Sequence, residues 1–299
     1  TSDGDTIMTS SATPLPRWRV VTRRLDAPND LLDARGPDGF AWLRNGAGFV
    51  TAGVAARVDV DQVEEVLASF DVDDPLGWPS TGPIAVGALP FDRETPSHLV
   101  IPSTIVGKTS DGSGWVTEIG PARARLRVPV QNDHPPTRFT VTAGTDAGSW
   151  RTLVLEALAS IAAGELDKVV LARDVVVEAD APFVVSTVLD ALRAEQPDCY
   201  VHHADGLVGA SPELLVRRVG NAVESRPMAG TARATPGAGD RLSASAKDAY
   251  EHRVVVDAVL DALGPICSSL DASTTPDAMT FGSVVHLTTP VHGVLDEPA

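Results

Sequence analysis

The sequence predicts an α+β fold in which strands and helices mix and antiparallel hairpins are frequent. Three observations carry that prediction. Short apolar runs are joined by hairpin signals at Asn45-Gly46, Asp205-Gly206 and Gly220-Asn221. Three longer stretches, 149–163, 182–195 and 243–263, read as helices. A chain of 299 residues that is 43% hydrophobic and 21% charged can bury a large core.

Residues 1–16 are polar and small with late prolines, and read as a disordered tail. Residues 40–57 read as a hairpin turning at Asn45-Gly46, because a two-residue turn there needs positive φ at both positions. Residues 83–91 read as a buried strand closed by Pro90. The runs 99–105 and 114–119 are expected to pair, with further strands at 122–129 and 138–142 and a loop at 130–137, which holds two prolines. The helix 149–163 should stop at Gly164. Lys168 to Glu178 is rich in valine and reads as a central strand, and 182–195 as a second helix. A short strand at 200–204 turns at Asp205-Gly206, and 214–219 with 222–225 forms a hairpin about Gly220-Asn221. The stretch 232–242 is expected to be a mobile loop before the long helix 243–263, and 282–288 a strand. No repeat of solenoid or propeller type is visible. The expected organisation is a single domain over 17–299, with an N-terminal half at about 17–145 and a C-terminal half at about 146–299.

Charge narrows the partners. A formal net charge of −16 makes nucleic acid and anionic lipid poor partners, and an anionic small substrate would need a metal or a cluster of backbone donors. No apolar run reaches about 18 residues, so no membrane-spanning helix is predicted. No signal-peptide pattern opens the chain, so a cytoplasmic protein is expected. The two cysteines, Cys199 and Cys267, have no CxxC spacing and read as ordinary buried thiols of a reducing compartment. Nothing marks a subunit interface, so a monomer is expected.

The most informative local feature is the pair Asp248 and Glu251 in Lys-Asp-Ala-Tyr-Glu-His-Arg. A spacing of three puts both on one face of the predicted helix, a face that continues as Val255, Ala258, Val259 and Ala262. Acids seldom head an apolar stripe, because an unpaired buried carboxylate is costly. A divalent cation such as Mg2+ is one remedy. The other reading is a solvated first turn, where acids suit the helix dipole.

Lys168 is either a solvated lysine or a partly desolvated amine that can act as a base. Glu213, in Gly-Ala-Ser-Pro-Glu-Leu-Leu, is either a rim residue or a carboxyl whose apolar surroundings keep it protonated as an acid. Gly230-Thr231 offers backbone N–H groups and a hydroxyl to an anion, or is a plain turn. His286 in Val-Val-His-Leu-Thr-Thr-Pro is either a satisfied core histidine or a ligand. His202 and His203 are adjacent, so on a strand they face opposite ways and cannot share a metal. No Walker loop, GxGxxG, HExxH, GxSxG or zinc spacing is present.

Together these strings resemble the chorismate-utilising enzyme family. They are Gly164-Glu-Leu-Asp-Lys-Val-Val-Leu-Ala-Arg173, Gly209-Ala-Ser-Pro-Glu-Leu-Leu215, Glu224-Ser-Arg-Pro-Met-Ala-Gly-Thr-Ala-Arg233, Lys247-Asp-Ala-Tyr-Glu-His-Arg253 and His286-Leu-Thr-Thr-Pro290. Weaker matches at Phe40–Ala56 and Gly87–Asp92 extend the resemblance over about residues 40–299. The fold it implies is two antiparallel-rich halves of sheet and helix stacked around a central site. Isochorismate and salicylate synthases of the family carry a water-activating lysine where ammonia-using anthranilate synthases carry glutamine, and here the residue is Lys168. One type of aminodeoxychorismate synthase carries a lysine nucleophile where this chain has Ala229. His-Leu-x-Thr-Pro looks more like isochorismate synthases than salicylate synthases.

The resemblance therefore implies a Mg2+-dependent isochorismate synthase, an isomerase feeding siderophore or quinone synthesis. Salicylate synthase is the alternative within the family, and a non-catalytic chorismate-binding module the alternative outside it. The implied roles are Lys168 as base toward water attacking ring carbon 2, and Glu213 as acid toward the hydroxyl leaving ring carbon 4. Glu251 and Asp248 are the implied metal residues, Gly230 and Thr231 hold a substrate carboxylate, and His286 lines the ring pocket. The family pattern continues with a His-Pro-Thr-Pro-Ala-type segment, a second metal-binding glutamate, and arginine and tyrosine contacts, none of which precedes Ala299. A polypeptide stopping there is expected to be inactive and poorly stable.

Overall fold

In the computed structural model, the described residues are 18–26, 28–92, 94–120 and 135–296. The expected tail at 1–16 and the expected strand at 122–129 lie outside them. The chain divides into two compact units, and the division is not sequential. One unit takes the described residues of 1–131 with Val185–Leu214 and Phe281–Ser283, and the other takes the rest. The segment 185–214 thus joins the first unit, although it lies in the sequence's second half.

The first unit is built on an eight-stranded sheet. Its strands run in the order Leu207–Ser211, Tyr200–Ala204, Ala41–Arg44, Ala47–Asp59, His98–Lys108, Gly114–Ile119, Arg19–Leu25 and Asp71–Asp73. Every pairing is antiparallel except the last, Arg19–Leu25 with Asp71–Asp73. The expected hairpin forms, with Asn45 at φ 51° and Gly46 at φ 74° between its strands. Residues 98–108 and 114–119 pair directly, as expected.

Two apolar clusters hold this sheet. Leu31, Leu32, Leu43, Val50, Val106 and Val201 surround Leu189 of the helix Val185–Glu195. Leu189 is fully buried, which stabilises the unit by roughly 1.5–3 kcal/mol. Val20, Val58, Ile101 and Ile105 pack with Val66 of the short helix Val63–Ala68 and with Phe70. Arg193 on the first helix also clamps Asp30 through both guanidinium nitrogens. Among the expectations here, 83–91 forms no strand: Val86 makes one isolated bridge to Val100, while Leu89 and Phe91 are exposed. Pro83 and Pro90 remove ladder donors from that run.

The second unit holds three smaller sheets. Four strands follow the order Leu214–Val219, Ala222–Arg226, Val291–Leu295, Cys267–Ala272, and three follow Met228–Arg233, Val284–Thr288, Asp277–Phe281. Phe139–Ala143 pairs antiparallel with Val175–Ala179. The expected central strand 168–178 is therefore a short strand of a two-stranded sheet, and Val170, Val175, Val176 and Val177 are exposed. A valine-rich run signals a strand without fixing its place in a sheet.

The helix Ala147–Ala162 starts where Asp146 accepts hydrogen bonds from the Gly148 and Ser149 backbone N–H groups, and ends ahead of Gly164 as expected. The expected loop 232–242 is instead the end of a strand at Arg233 and a helix, Ala238–Ser243. Ala238 and Leu242 stand one turn apart and pack on Val285 and Leu287, which stabilises the helix despite Pro236 and Gly237 beside it. The long helix runs Ala246–Leu263 and packs on Met228–Arg233. Cys199 is buried and Cys267 half-buried, both as free thiols.

Candidate functional site

The first turn of the helix Ala246–Leu263 sets the geometry. Ser245 caps it by accepting a hydrogen bond from the Asp248 backbone N–H at 3.3 Å. Asp248 thereby enters the first turn, where the helix dipole favours a negative charge. Glu251 follows on the same side. Their side chains keep 19% and 30% of their exposure, so neither is free in solvent nor sealed in the core.

Next comes His252, buried at 3% exposure. The expected stripe of Val255, Ala258, Val259 and Ala262 is corrected: Ala258 and Ala262 are exposed. The half-buried apolar positions are instead Val254, Val255, Val256, Val259, Leu260 and Leu263, beside half-buried Glu251 and buried His252.

The Lys247 ammonium lies 2.9 Å from one Glu251 oxygen and 3.7 Å from one Asp248 oxygen. The hydrogen bond to Glu251, before any other cause, holds this lysine above its ordinary pKa. The Lys247 ammonium thus bridges the two carboxylates.

Against this turn stands the strand Met228–Arg233. Its pairing with Val284–Thr288 slips between Ala229 and Thr231, leaving Gly230 as the extra residue of a bulge. Gly230 has φ 79°, and a methyl group there would sit 3.2 Å from Asp248 Cβ. Glycine lets the strand approach the acid-bearing turn closely. Thr231 is directly opposite His286, and Thr231 Oγ1 lies 2.9 Å from His286 Nδ1.

Lys168 is half-buried and reaches the same turn: its Nζ donates to the Glu251 carbonyl oxygen over a long 3.4 Å. Six of the seven expected residues, Lys168, Gly230, Thr231, Asp248, Glu251 and His286, thus form one connected group within the second unit. The seventh, Glu213, belongs to the first unit, on the link between Leu207–Ser211 and Leu214–Val219. It is exposed, which fits the rim reading and not the apolar surroundings of a protonated acid, and its backbone N–H donates to Ser211 Oγ at 3.3 Å.

Sequence reasoning missed His252. Its signal was available, four residues after Asp248 and so on the same helical face. Its Nε2 lies 2.7 Å from Thr289 Oγ1, and burial above all holds its pKa below the ordinary histidine value. Lys168 adds to the lowering, which places that charge near the ring. His203, assigned no role, is buried with Nδ1 2.8 Å from the Gly39 carbonyl oxygen.

Among the described residues, no three His, Cys, Asp or Glu side chains converge as a closed metal site. The Asp248–Glu251 pair nevertheless suits Mg2+, which is commonly held by one or two carboxylates while the substrate and water supply the rest. No helix among the described residues is long and apolar enough to cross a membrane.

Comparison with known proteins bears on this arrangement. The family described as chorismate binding enzyme matches residues 92–299. The isochorismate synthase EntC of Escherichia coli is 32% identical over 277 residues, covering 86% of this chain and 68% of that protein. The isochorismate synthase DhbC of Bacillus subtilis is 30% identical over 243 residues, covering 73% of this chain and 56% of that protein. The chain thus spans between about half and two thirds of these relatives' length. Among solved structures, the menaquinone-specific isochorismate synthase MenF of Escherichia coli has the same fold, with a TM-score of 0.75 at 24% identity over 94% of this chain and 71% of that one.

Proposed function

The chain belongs to the chorismate-binding enzyme family, and on that premise we propose that it serves the Mg2+-dependent conversion of chorismate to isochorismate. The observation that carries this reading is the convergence of Lys168 on the turn that bears Asp248 and Glu251. One turn thus gathers an amine that can serve as a base and two carboxylates that can hold a divalent cation. The relatives' names point the same way, and the product would feed siderophore or menaquinone synthesis.

Each residue has a task. Glu251, with Asp248 beside it, would hold Mg2+, which when bound neutralises charge on the substrate's ring carboxylate. Gly230 and Thr231 present the bulged backbone and a hydroxyl to a carboxylate, as oriented donors in an otherwise acidic chain. His286, positioned by Thr231, lines the ring side. Lys168 takes a proton from water as its oxygen bonds to ring carbon 2. The hydroxyl leaving ring carbon 4 needs a proton from an acid while the ring double bonds shift, the role that the family resemblance implies for Glu213. One proton is taken and one is given, so the step is an isomerisation and runs in either direction.

The test is incubation of the complete polypeptide with chorismate, with and without Mg2+, followed by chromatography. Isochorismate formed only with Mg2+ is the expected result. Salicylate plus pyruvate would move the assignment to salicylate synthase. Chorismate bound without turnover would make the protein a binding module.

A further inference from the structure

His252 is buried next to the acid pair, and the proposed mechanism leaves it unused. It is the buried residue of the helix Ala246–Leu263. The turn ahead of it carries two like charges and sits at a helix end, where local opening is easiest. Ser245 caps that turn from outside, and His252 is the side chain that anchors it from the buried side.

Its neighbours come from every segment of the cluster. Nε2 lies 2.7 Å from the hydroxyl of Thr289, itself buried, in the His286-Leu-Thr-Thr segment. The Thr289 N–H in turn donates to the Pro227 carbonyl oxygen at 3.3 Å, at the start of the strand that bulges at Gly230. The backbone of Ala229, one residue before the bulge, lies beside the ring. Glu251 is its neighbour in the chain, and the Glu251 carbonyl oxygen accepts from Lys168.

We infer that His252 is a positioning residue, which ties the acid-bearing turn to Thr289 and to the Gly230 bulge and so sets Glu251 and Lys168 relative to Gly230, Thr231 and His286. This rests on the proposed reading of the site. It acts through geometry, as a ring that touches neither substrate nor metal. Displacement of a reacting group by about 1 Å can cost on the order of a hundredfold in rate.

The test uses the complete polypeptide and three variants. Thr289→Val keeps the side-chain shape and removes the hydroxyl. His252→Gln keeps an amide able to reach that hydroxyl, and His252→Ala keeps nothing. Thr289→Val is expected to lower kcat about tenfold, with chorismate KM changed far less, and to weaken Mg2+ binding several-fold by calorimetry without substrate. His252→Gln is expected to retain kcat within about threefold of wild type, and His252→Ala to fall well below it.

Variants that melt earlier but keep wild-type kcat and Mg2+ affinity well below their melting point would reduce His252 to a core residue. His252→Gln no better than His252→Ala would have the same meaning. Should His252→Ala fail to fold, Thr289→Val and His252→Gln decide. Should wild type make no isochorismate, the functional reading falls, and Mg2+ titration of the same variants still decides the positioning role.

Discussion

Replacing Gly230 with alanine tests the closest approach in the site. Gly230 has φ 79°, in the left-handed region, where an L-residue pays about 1–2 kcal/mol. The new methyl would also stand 3.2 Å from Asp248 Cβ and 3.5 Å from both the Asp248 carbonyl oxygen and Leu287 Cδ1. Carbon atoms prefer roughly 3.5–4.0 Å, so the acid-bearing turn must retreat by a few tenths of an ångström. The two effects together predict a loss of about 2 kcal/mol in stability, with weaker Mg2+ binding because Asp248 moves.

Gly46→Ala is the matched control: φ is 74° and nothing lies within 4 Å of the added methyl, so only the backbone cost of about 1 kcal/mol applies. Urea unfolding followed by circular dichroism measures both losses, and calorimetry measures Mg2+ binding. Gly230→Ala matching wild type in stability and Mg2+ affinity would refute the reasoning. So would a Gly46→Ala variant that lost Mg2+ binding equally.

Lys168→Ala is expected to remove isochorismate formation while chorismate binding, read by calorimetry, stays within about threefold of wild type. Lys247→Met removes the cation that bridges Asp248 and Glu251, and an exposed pair of this kind is worth about 0.3–0.5 kcal/mol, so Mg2+ should bind roughly twofold tighter in a titration. Arg193, chiefly by its hydrogen bond, holds the Asp30 carboxyl below the ordinary aspartate pKa. The stabilisation is therefore complete above about pH 4 and disappears as pH falls through the lower folded value. Asp30→Asn should cost about 1 kcal/mol at neutral pH, and its melting-temperature gap from wild type should close on acidification toward pH 3.

The sequence made the local signals legible. Asn45-Gly46 announced its hairpin, and Gly164 ended its helix, because those features depend on neighbouring residues alone. The Asp248–Glu251 spacing was legible because a helix converts spacing into a shared face. What failed depended on partners distant in the chain. Residues 168–178 have the composition of a central strand, yet only Val175–Ala179 pairs, in a two-stranded sheet. Ala238–Ser243 folds as a helix because Val285 and Leu287 lie beneath it. The bulge at Gly230 needs the register of a second strand and could not be read from its own segment, whereas the spacing of His252 from Asp248 was legible and only its partner Thr289 was not. Between the two readings of Glu213, the rim residue fits: the Leu-Leu-Val run after it gives no cover, because Leu215 and Val216 are themselves exposed.

The most direct check on the acid pair is turnover of chorismate by Glu251→Gln across a Mg2+ titration, beside wild type. The substitution keeps size and removes one negative charge. Loss of Mg2+-dependent isochorismate formation, with chorismate still bound and the fold intact by circular dichroism, is the predicted result. A variant that turns over at close to the wild-type rate with the same Mg2+ dependence would contradict the account.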